Sequence, residues 1–414
     1  MIKTIKSVRT NPKKRRVDNF LKESCMPINL IASSNGVFDG YGLKKTSYKT
    51  PTEVQIVKMF KAGGRIFSLC EDGSLYESKS SRVEFIGEVY NIDASILEIK
   101  VNGRSDILVA RDVDVFTLNG YASFDEFPQT NAITYHNGRY YMADYYNVYI
   151  TGLYNVSNST SNFNIETKIW LDEKSGKILG FCPRLDGVIA VCEKAVYKIV
   201  LAEQVSNYKV QKINFDSVNA VDRTFAFDGE TCVFINGGKL TKLVGDSLVE
   251  KASILDRISY KNAGIAKLDN GKYYYPITVT DKGKYLFVYD FASEKETLVS
   301  LKDDGFAWGE MVVQDGAIYT LNDAVLCNNQ RNLIFNTMDF DDCDYKTLCG
   351  VSCFIDGDAT LKIKSTESEK TYPLYSGYNS LVFNLSSRTF TFEISSDSKL
   401  SISDFAVKYR LKGE

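Results

Sequence analysis

The chain has 414 residues, of which 44% are hydrophobic and 25% charged, and its formal net charge is −2. This composition is typical of a folded globular protein and excludes disorder for most of the chain. The single histidine, His136, excludes mechanisms that need two histidines, and no apolar run approaches the roughly 18 residues of a membrane span. Tyrosine (26) and phenylalanine (24) are abundant and proline (7) is scarce, which favours sheet over helix.

The N-terminus is strongly basic. Residues 1–22 contain eight Lys or Arg side chains and one Asp, so their charge is +7 and that of the remaining chain is −9. We expect an extended arm, within a lead-in of residues 1–50, that becomes ordered on an acidic partner. No apolar signal-peptide core follows it. The candidate partner-binding residues are Lys13, Lys14, Arg15 and Arg16.

Several kinds of partner suit such an arm. An acidic protein surface, a neighbouring copy of the chain and nucleic acid all offer negative charge, and Pro12–Val17 also resembles a nuclear-import signal. We favour a protein partner over nucleic acid, because four clustered positive charges in an otherwise acidic chain would bind DNA only weakly.

A repeat occupies residues 51–340. Each copy is predicted to form a turn, a strand, a second turn and a second strand, and Asn or Asp precedes the opening Gly in six of seven copies. Such dipeptides tolerate the positive φ of a tight hairpin turn. The copies are Gly64–Tyr76, Gly103–Phe116, Gly138–Tyr149, Gly187–Tyr197, Gly229–Leu240, Gly271–Tyr289 and Gly316–Leu326.

The spacing of the repeat predicts its architecture. The opening glycines lie on average about 42 residues apart, and a four-stranded propeller blade takes about 40–50 residues. A blade cannot bury its own faces, whereas a closed ring of blades buries them all. The repeat therefore predicts a β-propeller of six or seven blades.

Residues 341–414 depart from this spacing. Short alternating strands are predicted there, with the clearest alternation at Arg388–Ser395 and Ile402–Tyr409. We expect a small antiparallel β-sandwich that serves for docking.

The sequence predicts no catalytic, cofactor or metal site. It lacks the phosphate-loop and nucleophile-elbow motifs, and its nine cysteines form no C-x-x-C pair and lie mostly in apolar runs, which favours buried, reduced thiols. A metal cluster at Cys343, Cys349 and Cys353 would lack a fourth ligand. Asp303–Trp308 resembles part of the Asp-box turn of sialidase-like propellers, in which that turn is structural.

Three tyrosine clusters are candidate ligand platforms. They are Tyr140–Tyr141, Tyr145–Tyr146 and Tyr273–Tyr275. Because neighbouring residues of a strand face opposite sides, at least one tyrosine of each cluster is expected in a core between blades.

A basic arm, a degenerate propeller and a small C-terminal sandwich together resemble the β-propeller components of tailed-bacteriophage tails, necks and nozzles. The D/N-G hairpins above and the ending Phe390–Arg410 carry this likeness. It implies a non-enzymatic virion protein, assembled in the bacterial cytoplasm. It also implies contacts with portal, connector or tail subunits and with copies of itself in a symmetric ring, without a cofactor.

Two other functions stay open at this stage. A surface-recognition propeller would bind a glycan or a host protein through exposed tyrosine loops. A carbohydrate-active enzyme would need carboxylates that converge around the central axis.

Overall fold

The computed structural model of the chain describes a defined part of its residues. These are residues 2–5, 27–28, 30–32, 38–40, 42–45, 51, 54–62, 64–79, 82–89, 96–101, 104–110, 114–117, 120–123, 130–153, 165–213, 217–229, 231–256, 258–280, 283–300, 307–314, 317–321, 325–328, 334–335, 345–396 and 400–411. They are almost entirely strand, and their only helical segments are 3-10 turns of three residues each. The prediction of an all-β fold is confirmed. None of these described helical turns is long and apolar enough to cross a membrane.

The strands are numbered along the chain. The N-terminal strands are β1 (Ile2–Ile5), β2 (Pro27–Ile28), β3 (Leu30–Ala32), β4 (Phe38–Gly40) and β5 (Gly42–Lys45). Those of the first half of the repeat are β6 (Ile56–Ala62), β7 (Arg65–Cys70), β8 (Ser74–Ser78), β9 (Val83–Glu88), β10 (Ile96–Val101), β11 (Arg104–Ala110), β12 (Asp114–Thr117), β13 (Gly120–Ser123), β14 (Ala132–His136), β15 (Arg139–Asp144), β16 (Asn147–Thr151) and β17 (Ile165–Trp170).

The second half of the chain continues the numbering. The remaining strands of the repeat are β18 (Ile178–Arg184), β19 (Gly187–Cys192), β20 (Val196–Val200), β21 (Lys209–Ile213), β22 (Ala226–Asp228), β23 (Thr231–Asn236), β24 (Lys239–Val244), β25 (Ser247–Lys251), β26 (Tyr260–Asn262), β27 (Lys267–Asp269), β28 (Lys272–Val279), β29 (Gly283–Asp290), β30 (Lys295–Ser300), β31 (Ala307–Gln314), β32 (Ala317–Leu321) and β33 (Val325–Asn328). The last are β34 (Ile334–Phe335), β35 (Lys346–Asp356), β36 (Ala359–Ser365), β37 (Glu369–Leu374), β38 (Gly377–Ser387), β39 (Phe390–Ser395) and β40 (Ser401–Leu411).

The repeat folds into separate four-stranded antiparallel sheets. We call the five sheets β6–β9, β10–β13, β14–β17, β18–β21 and β22–β25 the repeat sheets, and in each the strands pair in chain order. The predicted opening glycines that belong to the described residues lie at or directly beside hairpin turns, and Gly138 and Gly271 have φ of +77° and +72°. Glycine adopts this left-handed region without the penalty of a Cβ atom.

Three further sheets follow the repeat sheets. Strands β26 and β27 both pair with β28, and β29 and β30 complete that sheet, which β2 and β34 extend. Strand β31 pairs with β32, and β5 from the N-terminus pairs antiparallel with β33. Strand β32 also contacts β33, so these four strands lie side by side.

The cores lie between neighbouring sheets. One core joins β14–β17 to β18–β21, a second joins β18–β21 to β22–β25, and a third joins β22–β25 to the β28 sheet. First strands of successive sheets contact each other, as β14 does β18 and β27 does β31, and β31 in turn contacts β6. A sheet covered on both faces must be apolar on both, as the fully buried strand β19 is.

Strands β35–β40, which we call the C-terminal module, form two antiparallel sheets. One has the order β3-β4-β40-β35-β38 with β1 also paired to β40, and the other has the order β37-β36-β39. Both sheets contribute to one core, which includes Leu348, Phe392 and Val407. The predicted boundaries at residues 50 and 340 stay predictions. Strands from residues 1–50 pair with the C-terminal module and with β30, β33 and β34, which no local pattern indicates.

Candidate interaction surface

The predicted arm contributes nothing to the geometry below. Lys13, Lys14, Arg15 and Arg16 lie outside the described residues, as do Cys343 and the first four residues of the Asp-box-like segment. The part of the chain that the structure describes contains no group of three His, Cys, Asp or Glu side chains that could hold a metal ion.

Two of the three tyrosine clusters are buried completely. Tyr140 and Tyr141 lie in β15, and the cluster at Tyr273–Tyr275 lies in β28, so both faces of each strand are covered by neighbouring sheets. Burial raises the pKa of Tyr141 and Tyr273 above the ordinary value, because the phenolate form is poorly solvated there. These tyrosines build cores and are not accessible to a ligand.

The third cluster is different, because Tyr145 is 66% exposed. It stands in the two-residue turn between β15 and β16, and its φ is +51°. A left-handed conformation costs a non-glycine residue roughly 1–2 kcal/mol, and Asn occupies two of the other left-handed positions, at residues 137 and 270. The backbone of an aromatic residue is therefore strained here, and backbone preference does not explain why this position holds a tyrosine.

Hydrogen bonds hold this turn in place. The Tyr145 N–H donates to Asn131 Oδ1 at 3.0 Å, and the Tyr145 carbonyl accepts from the Ile178 N–H at 2.8 Å. The Asn131 amide also donates to the Ile178 carbonyl at 2.5 Å. Ile178 begins the next repeat sheet, so the backbone of the turn is fixed at a junction of two sheets.

Trp170 lies beside this turn. In the register of β16 and β17 it is opposite Asn147, which follows the turn, and its side chain is 69% exposed. The Lys168 ammonium lies 5.3 Å from the centroid of the Trp170 ring and 4.6 Å from that of Tyr149. Cation–π attraction at these distances orders the lysine over the two rings.

A buried arginine anchors the strands that carry these rings. Arg139 of β15 donates to the Thr151 carbonyl at 2.8 Å and to the Glu166 carboxylate. The Thr151 hydroxyl accepts from the Tyr140 N–H at 3.0 Å, so β15, β16 and β17 are tied together by side chains as well as by the ladder. We call Tyr145, Lys168 and Trp170 the aromatic surface.

Among the described residues, every carboxyl group with a shifted pKa has a pKa below its ordinary value. The Ser74 hydroxyl lowers the pKa of Asp72, and the ammonium groups of Lys79 and Lys198 lower those of Glu84 and Asp186. These carboxylates accept hydrogen bonds as anions, so at neutral pH they are acceptors and not proton donors.

Comparisons with known proteins give distant likenesses in structure alone. Neither a family model nor a curated protein matches the chain. The extracellular domain of a putative one-component system from B. thetaiotaomicron aligns with a TM-score of 0.47 and 10% identity, over 81% of this chain and 48% of that one. This chain thus spans about half the length of that neighbour.

Two smaller neighbours align over most of their own length. BamB from Moraxella catarrhalis has a TM-score of 0.42 and 9% identity, over 79% of this chain and 97% of that chain. The Pan2 WD40 domain from Neurospora crassa has a TM-score of 0.43 and 7% identity, over 66% of this chain and 88% of that chain.

Proposed function

We propose that the chain is a non-catalytic β-propeller scaffold that binds a protein partner through the aromatic surface. In this proposal seven four-stranded blades form a ring, and the C-terminal module is a sandwich attached to it. The observation that carries the function is a strained Tyr145, whose backbone is held by two hydrogen bonds while the residue is two-thirds exposed, next to an exposed Trp170.

The contacts of the first and last sheets support the ring. Strand β31 contacts β6, and Val312 of β31 packs into the same core as Ile66 and Met59. The pairing of β5 with β33 would complete the seventh blade with a strand from the other end of the chain. Closure of this kind stabilises a propeller, because it leaves no unpaired blade face.

Physical chemistry favours a protein as the partner. Strain at a surface position is retained where the surrounding structure over-determines it and where the position has a function. Tyr and Trp are enriched at the energetic centres of protein interfaces, because their rigid rings bury much area at a small entropy cost. The ordered Lys168 adds a charge that would select among partners.

The test is photo-crosslinking from the aromatic surface. A benzophenone side chain in place of Trp170 or of Tyr145 should crosslink the same protein in an extract of the native host. The same group in place of Leu185, which is exposed on another hairpin, is the control and should not. Purified partner should then bind the native chain and lose affinity at least tenfold for Trp170→Ala.

A glycan array tests the second candidate function, which is glycan recognition. Absence of binding supports the protein partner, whereas oligosaccharide binding that Trp170→Ala abolishes would replace it by glycan recognition. In the crosslinking experiment, a yield from Leu185 equal to that from Trp170 or Tyr145 would contradict the aromatic surface as the binding site.

A structural role in a phage particle stays a prediction from the sequence. None of the structural neighbours named above is a phage protein, and the arm lies outside the described residues. Replacement of Lys13, Lys14, Arg15 and Arg16 by Ala should weaken incorporation into an assembled particle without a change in the melting temperature. Unimpaired assembly would contradict the role of the arm.

A further inference from the structure

Strand β38 is an open edge of the C-terminal module. It pairs along one side with β35, and no other described strand pairs with its second side. It is eleven residues long, from Gly377 to Ser387. A strand at an edge presents a row of unpaired N–H and C=O groups, which is a template for another strand.

The composition of β38 leaves this edge unprotected. Natural edge strands carry charges, proline or β-bulges that limit pairing with other chains. Strand β38 contains no charge and no proline, and its ladder with β35 has one bulge, at the two residues between Val382 and Leu385. One edge strand of the other sheet, β37, contains Glu369, Lys370 and Pro373 within six residues. The same module thus protects one edge and leaves the longer one open.

The outward side chains of β38 include large apolar groups. Val382 is 87% exposed and Tyr378 is 69% exposed. Tyr378 is paired in register with Phe354 of β35, which is also exposed. The same face of the strand presents Ser380 and Asn384, both exposed and uncharged.

We propose that β38 pairs antiparallel with β38 of a second copy of this chain, about a two-fold axis at Val382. Val382 is the midpoint of the strand, so this register sets every residue of β38 opposite a residue of the copy. It places Val382 against its own copy, Tyr378 opposite Ser386 and Ser380 opposite Asn384. Backbone hydrogen bonds of the antiparallel kind, interrupted at the bulge that follows Val382, would join the two sheets into one.

A second copy is the occupant that these observations favour. The most exposed apolar residue of the strand, Val382, is its central residue, so a two-fold pairing covers it with its own copy. The pairing brings no like charges together, and β38 offers no charge by which an acidic or basic partner would be selected. A two-fold contact uses the same patch on both subunits and closes on itself, so the product is a dimer. The proposal does not depend on the aromatic surface.

Sedimentation velocity of the whole chain tests the dimer. Between about 1 μM and about 100 μM, a range that brackets a micromolar dissociation constant, the native chain should pass from monomer to dimer. Val382→Lys places two ammonium groups opposite each other and should shift the midpoint at least tenfold upwards. At a concentration at which the native chain is monomeric, the two chains should have the same melting temperature, because the residue faces solvent in the monomer.

Leu185→Lys is the matched control, because it adds the same charge at an equally exposed apolar residue. It should dimerise as the native chain does. A native chain that is monomeric throughout, or a Val382→Lys chain that dimerises normally, would overturn the proposal.

Cysteine crosslinking tests the register. Val382→Cys should form an intermolecular disulfide on mild oxidation by an added disulfide reagent, since the two Cβ atoms are directly opposite. Ser380→Cys lies on the same side of the strand, but its copy is four residues away along the pair, so it should not crosslink. Crosslinking of Ser380→Cys equal to that of Val382→Cys would contradict the register.

Discussion

The repeat sheets and the C-terminal module treat their edge strands differently. The last strands of four repeat sheets are five or six residues long and each carries two charged residues, whereas β13 is uncharged but only four residues long. The charged residues are Glu84 and Glu88 in β9, Glu166 and Lys168 in β17, Lys209 and Lys212 in β21, and Glu250 and Lys251 in β25. Strand β38 has eleven residues and no charge. Short or charged edges limit association, so an open edge is a specific property of the module.

The two regions also differ in how they bury their cores. The cores of the repeat are shared between adjacent sheets, so a sheet depends on its neighbours. The C-terminal module has one core between its own two sheets. Loss of packing in the repeat should therefore spread to a neighbouring sheet, while loss in the module should stay within it.

We expect the largest loss of stability at alkaline pH, because thiols are buried both in the repeat and in the C-terminal module. Burial raises the pKa of Cys70 and Cys353 to about 11 and that of Cys192 to about 12. The unfolded chain loses these protons near the ordinary pKa of 9.0, so stability is retained below pH 9 and falls as the pH rises towards 11. The loss is roughly 1.4 kcal/mol per pH unit for each thiol. Far-UV circular dichroism during heating should show a melting temperature that falls from pH 9 to pH 11, and a constant value would contradict this account.

Removal of a ring between two repeat sheets should have the next largest effect. Phe181 is fully buried in the core that joins β14–β17 to β18–β21. Phe181→Ala should lower the free energy of unfolding by about 3–5 kcal/mol, which urea titration measures. The control Phe85→Ala removes a half-exposed ring from β9 and should cost less than about 1 kcal/mol. Equal costs for the two variants would show that the shared cores do not dominate stability.

A smaller effect is expected at the next junction of sheets. A Cβ atom at Gly180 would overlap the ring of Phe225, which packs into the core between β18–β21 and β22–β25. Gly180→Ala should cost about 1–3 kcal/mol in urea titration. Phe225→Leu should rescue part of it in the double variant, because the smaller side chain leaves room. Additive costs would mean that the two residues do not meet.

The smallest effect concerns the strained turn. Tyr145→Asn should raise the free energy of unfolding by up to about 1 kcal/mol, since Asn adopts the left-handed region more readily. Tyr146→Asn, at a neighbour without a positive φ, should bring no gain. Thermal melts compare the two. A clear loss of stability in Tyr145→Asn would show that the Tyr145 ring stabilises the fold and is not kept for binding.

Sequence patterns predicted the hairpins, because a few neighbouring residues determine them. The hairpins at Gly138, Gly187, Gly229 and Gly271 occur where the dipeptides indicate, because turn geometry and alternation act over a few residues. The pairing of β5 with β33, and of β1 with β40, joins segments hundreds of residues apart without a turn. No periodicity along the chain carries that information.

The aromatic surface was predicted only in part. Alternation correctly placed at least one tyrosine of Tyr140–Tyr141 and of Tyr273–Tyr275 in a core, and in both clusters every ring is buried, because sheets cover both faces of a central strand. The same expectation was wrong for Tyr145–Tyr146, where Tyr145 is exposed and Tyr146 is half-buried, because both residues lie in a turn and not in a strand. Trp170 gave no local signal. Its exposure depends on its place at the end of a last strand, and the backbone of Tyr145 is held by one hydrogen bond to Asn131 and one from Ile178 of the next sheet.

Hydrogen–deuterium exchange of β37 and β38 at two protein concentrations tests the contrast between protected and open edges most directly. On dilution below the dissociation constant, the outward amides of β38 should exchange quickly. At high concentration they should become protected, while the outward amides of β37 exchange at the same rate in both samples. Protection of β38 that does not depend on concentration, or equal protection of β37, would contradict the account.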